Sequence, residues 1–77
     1  MRSVDIKYKV AEGVSRIMFE PWGATFELSE GEMITLRAPI GAVPKIETLL
    51  FPTGISVWVP DGDYVVLNAA GEEIESF

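Results

Sequence analysis

Neither cysteine nor histidine occurs among the 77 residues. No disulfide can staple the fold, no thiolate site can hold zinc, and the commonest transition-metal ligand is missing. Serine–histidine–aspartate triads and cysteine nucleophiles are excluded by composition. Basic residues are scarce too: six Lys and Arg stand against twelve Asp and Glu, for a net charge of −6. All six bases (Arg2, Lys7, Lys9, Arg16, Arg37, Lys45) lie in residues 1–45, where six acids balance them; residues 46–77 carry Glu47, Asp61, Asp63, Glu72, Glu73 and Glu75 and no base. Phosphate-backbone binding depends on clustered Lys and Arg, so nucleic acid is not an expected partner. An acidic surface could instead meet a basic nucleic-acid-binding protein and inhibit it, although its plainer role is solubility. Long apolar runs are lacking as well. No segment approaches the roughly 18 apolar residues of a membrane span. The start, Met1-Arg2-Ser3-Val4-Asp5, leads into alternating residues rather than the unbroken apolar stretch of a signal peptide, so a cytoplasmic protein is expected.

What the chain does have is apolar residues, at 48 %, and glycine at regular places. Six of its seven glycines close a three-residue unit: Ala11-Glu12-Gly13, Pro21-Trp22-Gly23, Ser29-Glu30-Gly31, Pro52-Thr53-Gly54, Pro60-Asp61-Gly62 and Ala69-Ala70-Gly71. Two turn residues followed by a left-handed glycine make a three-residue hairpin connection, and repetition of the unit predicts a β-meander. Between the units, Val4, Ile6, Tyr8 and Val10 alternate with Asp5, Lys7 and Lys9, Ile17 and Phe19 with Arg16, Met18 and Glu20, Phe26 and Leu28 with Thr25 and Glu27, and Ile34, Leu36 and Ala38 with Met33, Thr35 and Arg37. That is the period of half-buried strands. Residues 45–51, 55–59, 63–68 and 72–77 complete about eight short strands, and 55–59, apolar on both sides, is expected to be central. Pro39-Ile40-Gly41-Ala42-Val43-Pro44 interrupts the pattern and reads as a loop.

The halves on either side of that loop rhyme at an offset near 40. Gly13-Val14-Ser15 matches Gly54-Ile55-Ser56, and Gly31-Glu32-Met33-Ile34 matches Gly71-Glu72-Glu73-Ile74. Either a four-stranded unit is duplicated, as a two-fold internal repeat, or similar turns recruit similar residues. The expected fold is one all-β domain spanning 1–77, a small antiparallel sandwich or barrel with a radius of gyration of about 11–12 Å. A core this thin, with no disulfide to help it, predicts a homodimer.

Reactive chemistry has little to work with. Carboxylate pairs suited to glycoside hydrolysis would be Asp61 with Asp63 or Glu27 with Glu32. Yet Asp61 sits in a Pro-Asp-Gly turn that uses Asp for backbone reasons, and Glu32 follows a turn glycine. Asp61, Asp63 and Asn68, with Glu72 or Glu73, could approach calcium, but their spacing matches no EF-hand loop. Neither metal nor other cofactor is therefore expected, and no enzymatic activity. Three aromatics remain as binding or interface candidates. Trp22, in a turn, either folds back as a plug for one end of the core or splays out as a platform. Trp58 shares a strand face with Ser56, where it could cover a subunit interface, a setting in which Trp is enriched. Tyr64, across the Pro60-Asp61-Gly62 turn, would be its neighbour; the two would form a recognition patch or else belong to the core.

Gly54, five further residues and then Pro60-Asp61-Gly62, followed by Tyr64-Val65-Val66-Leu67-Asn68-Ala69-Ala70-Gly71-Glu72, resemble the second conserved segment of cupins. Phe26-Glu27-Leu28-Ser29-Glu30-Gly31-Glu32 is similar to the close of the first cupin segment. Val65 stands where that family places a metal-binding histidine, Asn68 falls one residue early, and the first segment's histidine pair has no counterpart. The resemblance covers about half the chain and implies a jelly-roll-like barrel without its metal, with no activity transferred. Glu20-Pro21-Trp22-Gly23 also resembles a segment of short uncharacterised bacterial proteins. Together these features predict a non-catalytic binding or interaction module that associates with itself or another protein. The alternative is a small-molecule or carbohydrate binder using a barrel mouth or the aromatic patch.

Overall fold

The computed structural model describes residues 2–77; Met1, part of the amino-terminal segment read above, lies outside them. The described residues form eight strands: β1 (Ser3–Lys9), β2 (Val14–Glu20), β3 (Ala24–Ser29), β4 (Met33–Pro39), β5 (Glu47–Phe51), β6 (Gly54–Trp58), β7 (Val65–Leu67) and β8 (Glu73–Ser76). They make two four-stranded sheets, ordered β1-β4-β7-β8 and β3-β2-β6-β5. The Cα radius of gyration is 11.8 Å.

The first half is one long hairpin creased across both sheets. Near the chain ends of this hairpin β1 pairs with β4, from Ser3–Pro39 to Lys9–Met33; toward its tip β2 pairs with β3 in the other sheet. At the crease the Val10 N–H donates to the Glu32 carbonyl and the Gly31 N–H to the Val10 carbonyl, so the ladder continues round the corner. The second half pairs differently. There β5 joins β6 and β7 joins β8, each as a tight hairpin in a separate sheet. The halves therefore do not repeat one four-stranded unit, and the 40-residue rhyme reflects shared turn chemistry.

This topology also corrects the meander. Three glycine units, Pro21-Trp22-Gly23, Pro52-Thr53-Gly54 and Ala69-Ala70-Gly71, join neighbouring strands; the other three carry the chain from one sheet to the other. A local turn signal specifies a reversal, not which sheet receives the next strand. Nor are the sheets wholly antiparallel, since β6 runs parallel to β2 from Arg16–Gly54 to Glu20–Trp58. As expected, β6 is an interior strand of its sheet. Four of the six turn glycines are left-handed, whereas Gly54 (φ +155°) and Gly62 (φ +158°) are more extended. Gly54 is required for a second reason: a Cβ there would overlap the Arg16 carbonyl on the parallel neighbour.

Residues 40–45, read as a loop, form a short 3-10 turn, and Ile46 N–H bonds back to the Val43 carbonyl. Proline's fixed φ fits such a turn, and so short a run sacrifices little to a missing N–H. The core lies between the sheets: Ile17 and Phe19 of β2, Ile34, Leu36 and Ala38 of β4, Val57 of β6, and Tyr64 and Val66. Phe19 centres it, edge-on to Tyr8 and Phe26 at 6.3 and 6.0 Å.

Candidate interaction surface

The alternation within each strand sorts the second sheet into two faces. Ile17, Phe19, Ile55 and Val57 point inward, so Arg16, Met18, Glu20, Ser56 and Trp58 point outward. The β5–β6 register, Leu49 opposite Ser56, Leu50 opposite Ile55 and Phe51 opposite Gly54, puts Leu49 and Phe51 on the outer face and Leu50 on the inner side. Small residues along β6 leave a shallow trough of about 230 Å³ between Arg16 and Met18 on one wall and Phe51 on the other. Trp58, 44 % exposed, stands on this outer face, flanked in register by Glu20 and Glu47.

Strand β5 is the unusual element. All five of its residues are exposed, with Leu49 at 47 %, Leu50 at 81 % and Phe51 at 54 %. It forms an edge of its sheet. Leu50 stays open although it faces inward, since β5 lies at the edge of its sheet and the opposite sheet ends at β1. The β1 and β8 edges carry several charges, Asp5, Lys7 and Lys9 on one and Glu73 and Glu75 on the other, and on β3 the exposed residues Thr25, Glu27 and Ser29 are all polar. On β5 the sole charge is Glu47.

Trp22 and Tyr64 belong elsewhere. Trp22 folds back over the core end, stacked on Phe77 with ring centroids 4.1 Å apart and planes 9° from parallel, and lies 5.5 Å from the Tyr64 ring. Tyr64 is 1 % exposed and donates its hydroxyl to the Pro60 carbonyl at 2.7 Å. Burial pushes its phenol pKa up, with a further push from the nearby Asp61 charge. The expected Trp58–Tyr64 patch does not form, since the Pro60-Asp61-Gly62 unit leads to the other sheet rather than closing a hairpin. Sequence reading missed Phe77 as an aromatic partner and β5 as a surface; the consecutive Leu49, Leu50 and Phe51 were the available signal for the latter.

Of the carboxylates considered for chemistry, Glu27, Glu32 and Glu72 have local partners. Glu32 accepts the Ser29 N–H at 2.6 Å, and Glu27 lies 3.9 Å from Arg16. The Asn68 side-chain oxygen accepts the Ala70 and Glu72 N–H groups, and its amide donates to Glu72, shaping the β7–β8 turn. Among the described residues no three acids gather in a metal-holding group. A hollow of about 480 Å³ opens between β1 and the second sheet, floored by Ile17, Leu28 and Ile55 and rimmed by Lys7, Lys9, Glu12 and Ser15. No helix among the described residues is long and apolar enough to cross a membrane. No family profile, curated protein or solved structure matches this chain. The cupin resemblance therefore rests on the turn residues quoted above.

Proposed function

We propose that this protein is a non-catalytic interaction module that associates with a second copy of itself through the β5 edge of its second sheet. One observation carries the reading: β5 carries the consecutive apolar residues Leu49, Leu50 and Phe51, a run suited to cover on both faces, yet all three are exposed at a sheet edge. Exposed apolar edges invite pairing with another strand, and soluble proteins generally blunt them, as this chain does with several charges on β1 and β8 and with polar exposed residues on β3. Trp58, on the outer face beside Glu47, is the aromatic candidate that borders this surface; Trp22 and Tyr64 serve the core end.

The test is light scattering after size exclusion across a concentration series, on wild type and Leu50→Lys. Wild type is expected to shift reversibly from the 8.5 kDa chain mass toward twice that value, and Leu50→Lys to remain monomeric with an unchanged melting temperature. A wild type that stays monomeric throughout overturns the reading.

A second reading, a small-molecule binder, draws on the hollow between β1 and the second sheet, whose apolar floor and polar rim suit an amphipathic ligand. It predicts ligand-dependent thermal stabilisation that Ile55→Lys abolishes. The acidic-decoy alternative finds little support, because its acids are dispersed: Glu47 is on β5, Asp61 and Asp63 in the β6–β7 connection, and Glu73 and Glu75 on β8.

A further inference from the structure

The geometry points to one register for the self-association: we infer that two copies pair β5 antiparallel about a two-fold axis through Leu49, joining their second sheets into a continuous eight-stranded sheet. This rests on the self-association proposed above and adds its geometry.

The ladder within the subunit fixes which groups are free. The two-residue connection Pro52-Thr53 closes on the Phe51–Gly54 pair, which in so tight a turn must be a hydrogen-bonded pair. Hydrogen-bonded pairs alternate in antiparallel ladders, so Leu49 and Glu47 also turn their main-chain groups toward β6. Thr48 and Leu50 therefore direct their N–H and C=O away from it, and Pro52, next in that series, has no N–H to offer.

A two-fold normal to the sheet keeps each face on its own side, so outward residues must oppose outward residues. Centring on Leu49 sets Thr48 opposite the partner's Leu50 and Leu50 opposite the partner's Thr48. Each pair exchanges two main-chain hydrogen bonds, and every free group of the strand is used. Centring on Leu50 would instead set Thr48 against the partner's Pro52 and waste a donor.

Side chains and charge agree with the Leu49 axis. Leu49 meets its own copy on the outer face, flanked by Phe51, while the two Leu50 side chains approach diagonally on the inner side. Glu47 falls opposite the partner's Phe51, and the two Glu47 carboxylates lie roughly 14 Å apart along the strands, beyond the screening length of about 8 Å at physiological salt. A second copy thus satisfies this edge without setting like charges face to face. A five-residue edge is short for an interface of about 800 Å² per partner, so the dimer is expected to be concentration-dependent.

Single cysteines read the register directly, because the chain has none of its own. In the Leu49-centred pairing the two residues 49 are a non-hydrogen-bonded pair with Cα atoms about 4.5 Å apart, within disulfide reach of about 4.4–6.8 Å. The two residues 50 are diagonal neighbours about 7–8 Å apart, beyond that reach. Both positions are exposed, so Leu49→Cys and Leu50→Cys are expected to fold. Under mild oxidation Leu49→Cys should become a covalent dimer, and Leu50→Cys should not. Efficient crosslinking of Leu50→Cys in place of Leu49→Cys overturns the register. Failure of both variants to crosslink, with wild type still dimeric, overturns β5 pairing and leaves self-association through another surface. A monomeric wild type overturns both proposals.

Discussion

Trp22 lies flat on Phe77, with ring centroids 4.1 Å apart, and so ties the β2–β3 turn to the last residue of the chain. The contact is supported from below, because Phe77 exchanges main-chain hydrogen bonds with Tyr64 and the Trp22 ring also leans on the Tyr64 ring. Stacked aromatic pairs contribute about 0.5–1.5 kcal/mol beyond the area they bury. Phe77→Ala is expected to cost about 2 kcal/mol in denaturant unfolding, counting lost burial as well. A double-mutant cycle with Trp22→Ala should give a coupling of about 1 kcal/mol. Additive effects of the two substitutions would show that the stack contributes nothing of its own.

Gly54 and Gly41 should respond in opposite ways. At Gly54 any side chain meets the Arg16 carbonyl at the start of the parallel β2–β6 pairing, and the φ of +155° is strained for other residues. Gly54→Ala should therefore cost about 3 kcal/mol or more. Gly41, in the 3-10 turn, has open space around it and no positive φ. Gly41→Ala should be neutral or stabilise by up to about 1 kcal/mol, by restricting the unfolded chain. Chemical denaturation of the two variants beside wild type checks both signs.

Much of the fold could be read locally. Val4, Ile6 and Tyr8 alternate because β1 has one covered face, and the turn glycines other than Gly62 lie within two residues of a strand start. Which strands pair could not be read that way. Ser29-Glu30-Gly31 and Pro21-Trp22-Gly23 look alike, but one crosses between sheets and the other closes a hairpin; only the long-range β1–β4 and β2–β6 pairings distinguish them. The same limit explains the aromatics. Trp58 and Tyr64 are six residues apart, yet they occupy different layers. Trp22 and Phe77, at nearly opposite ends of the sequence, are in contact. Leu49-Leu50-Phe51 has the composition of buried strand, and only the sheet order places it at an edge, where all three are exposed.

Asp5 and Arg37 face each other across β1 and β4 in a two-pronged pair, Nε to Oδ1 at 2.8 Å and Nη2 to Oδ2 at 3.1 Å. The hydrogen bonds from Arg37, and then its charge, hold the Asp5 pKa below the usual carboxylate value. A carboxylate whose pKa is lowered by folding stabilises the native state above its unfolded pKa, and that contribution disappears as pH falls through the folded value. Asp5→Asn should therefore be slightly less stable than wild type at neutral pH, with the difference vanishing in acid. Both groups are exposed to solvent, so the effect should be small and should shrink with added salt. Thermal melts at several pH values and salt concentrations read it out. A difference that persists below the folded pKa would assign the loss to strand packing.

At the alkaline end Tyr64 should set the limit. Its hydroxyl is held by the Pro60 carbonyl in a nearly closed site, and burial, with Asp61 nearby, raises its pKa above the ordinary 10.0. Tyr8 is raised too, by burial that the adjacent Thr48 hydroxyl partly offsets. A phenol whose pKa rises on folding keeps its proton in the native state after the unfolded chain has released its own. Stability is then full below pH about 10 and falls as pH rises toward the folded value. Tyr64→Phe should cost about 1 kcal/mol at neutral pH, because the Pro60 carbonyl loses its donor. The same variant should lose less stability than wild type between pH 9 and 11, a range set around the ordinary phenol pKa of about 10, with the remaining slope owed in part to Tyr8. Since Trp22 leans on Tyr64, tryptophan fluorescence followed through the alkaline transition reports on this end of the core directly. A wild-type slope unchanged in Tyr64→Phe would place the alkaline transition at another group.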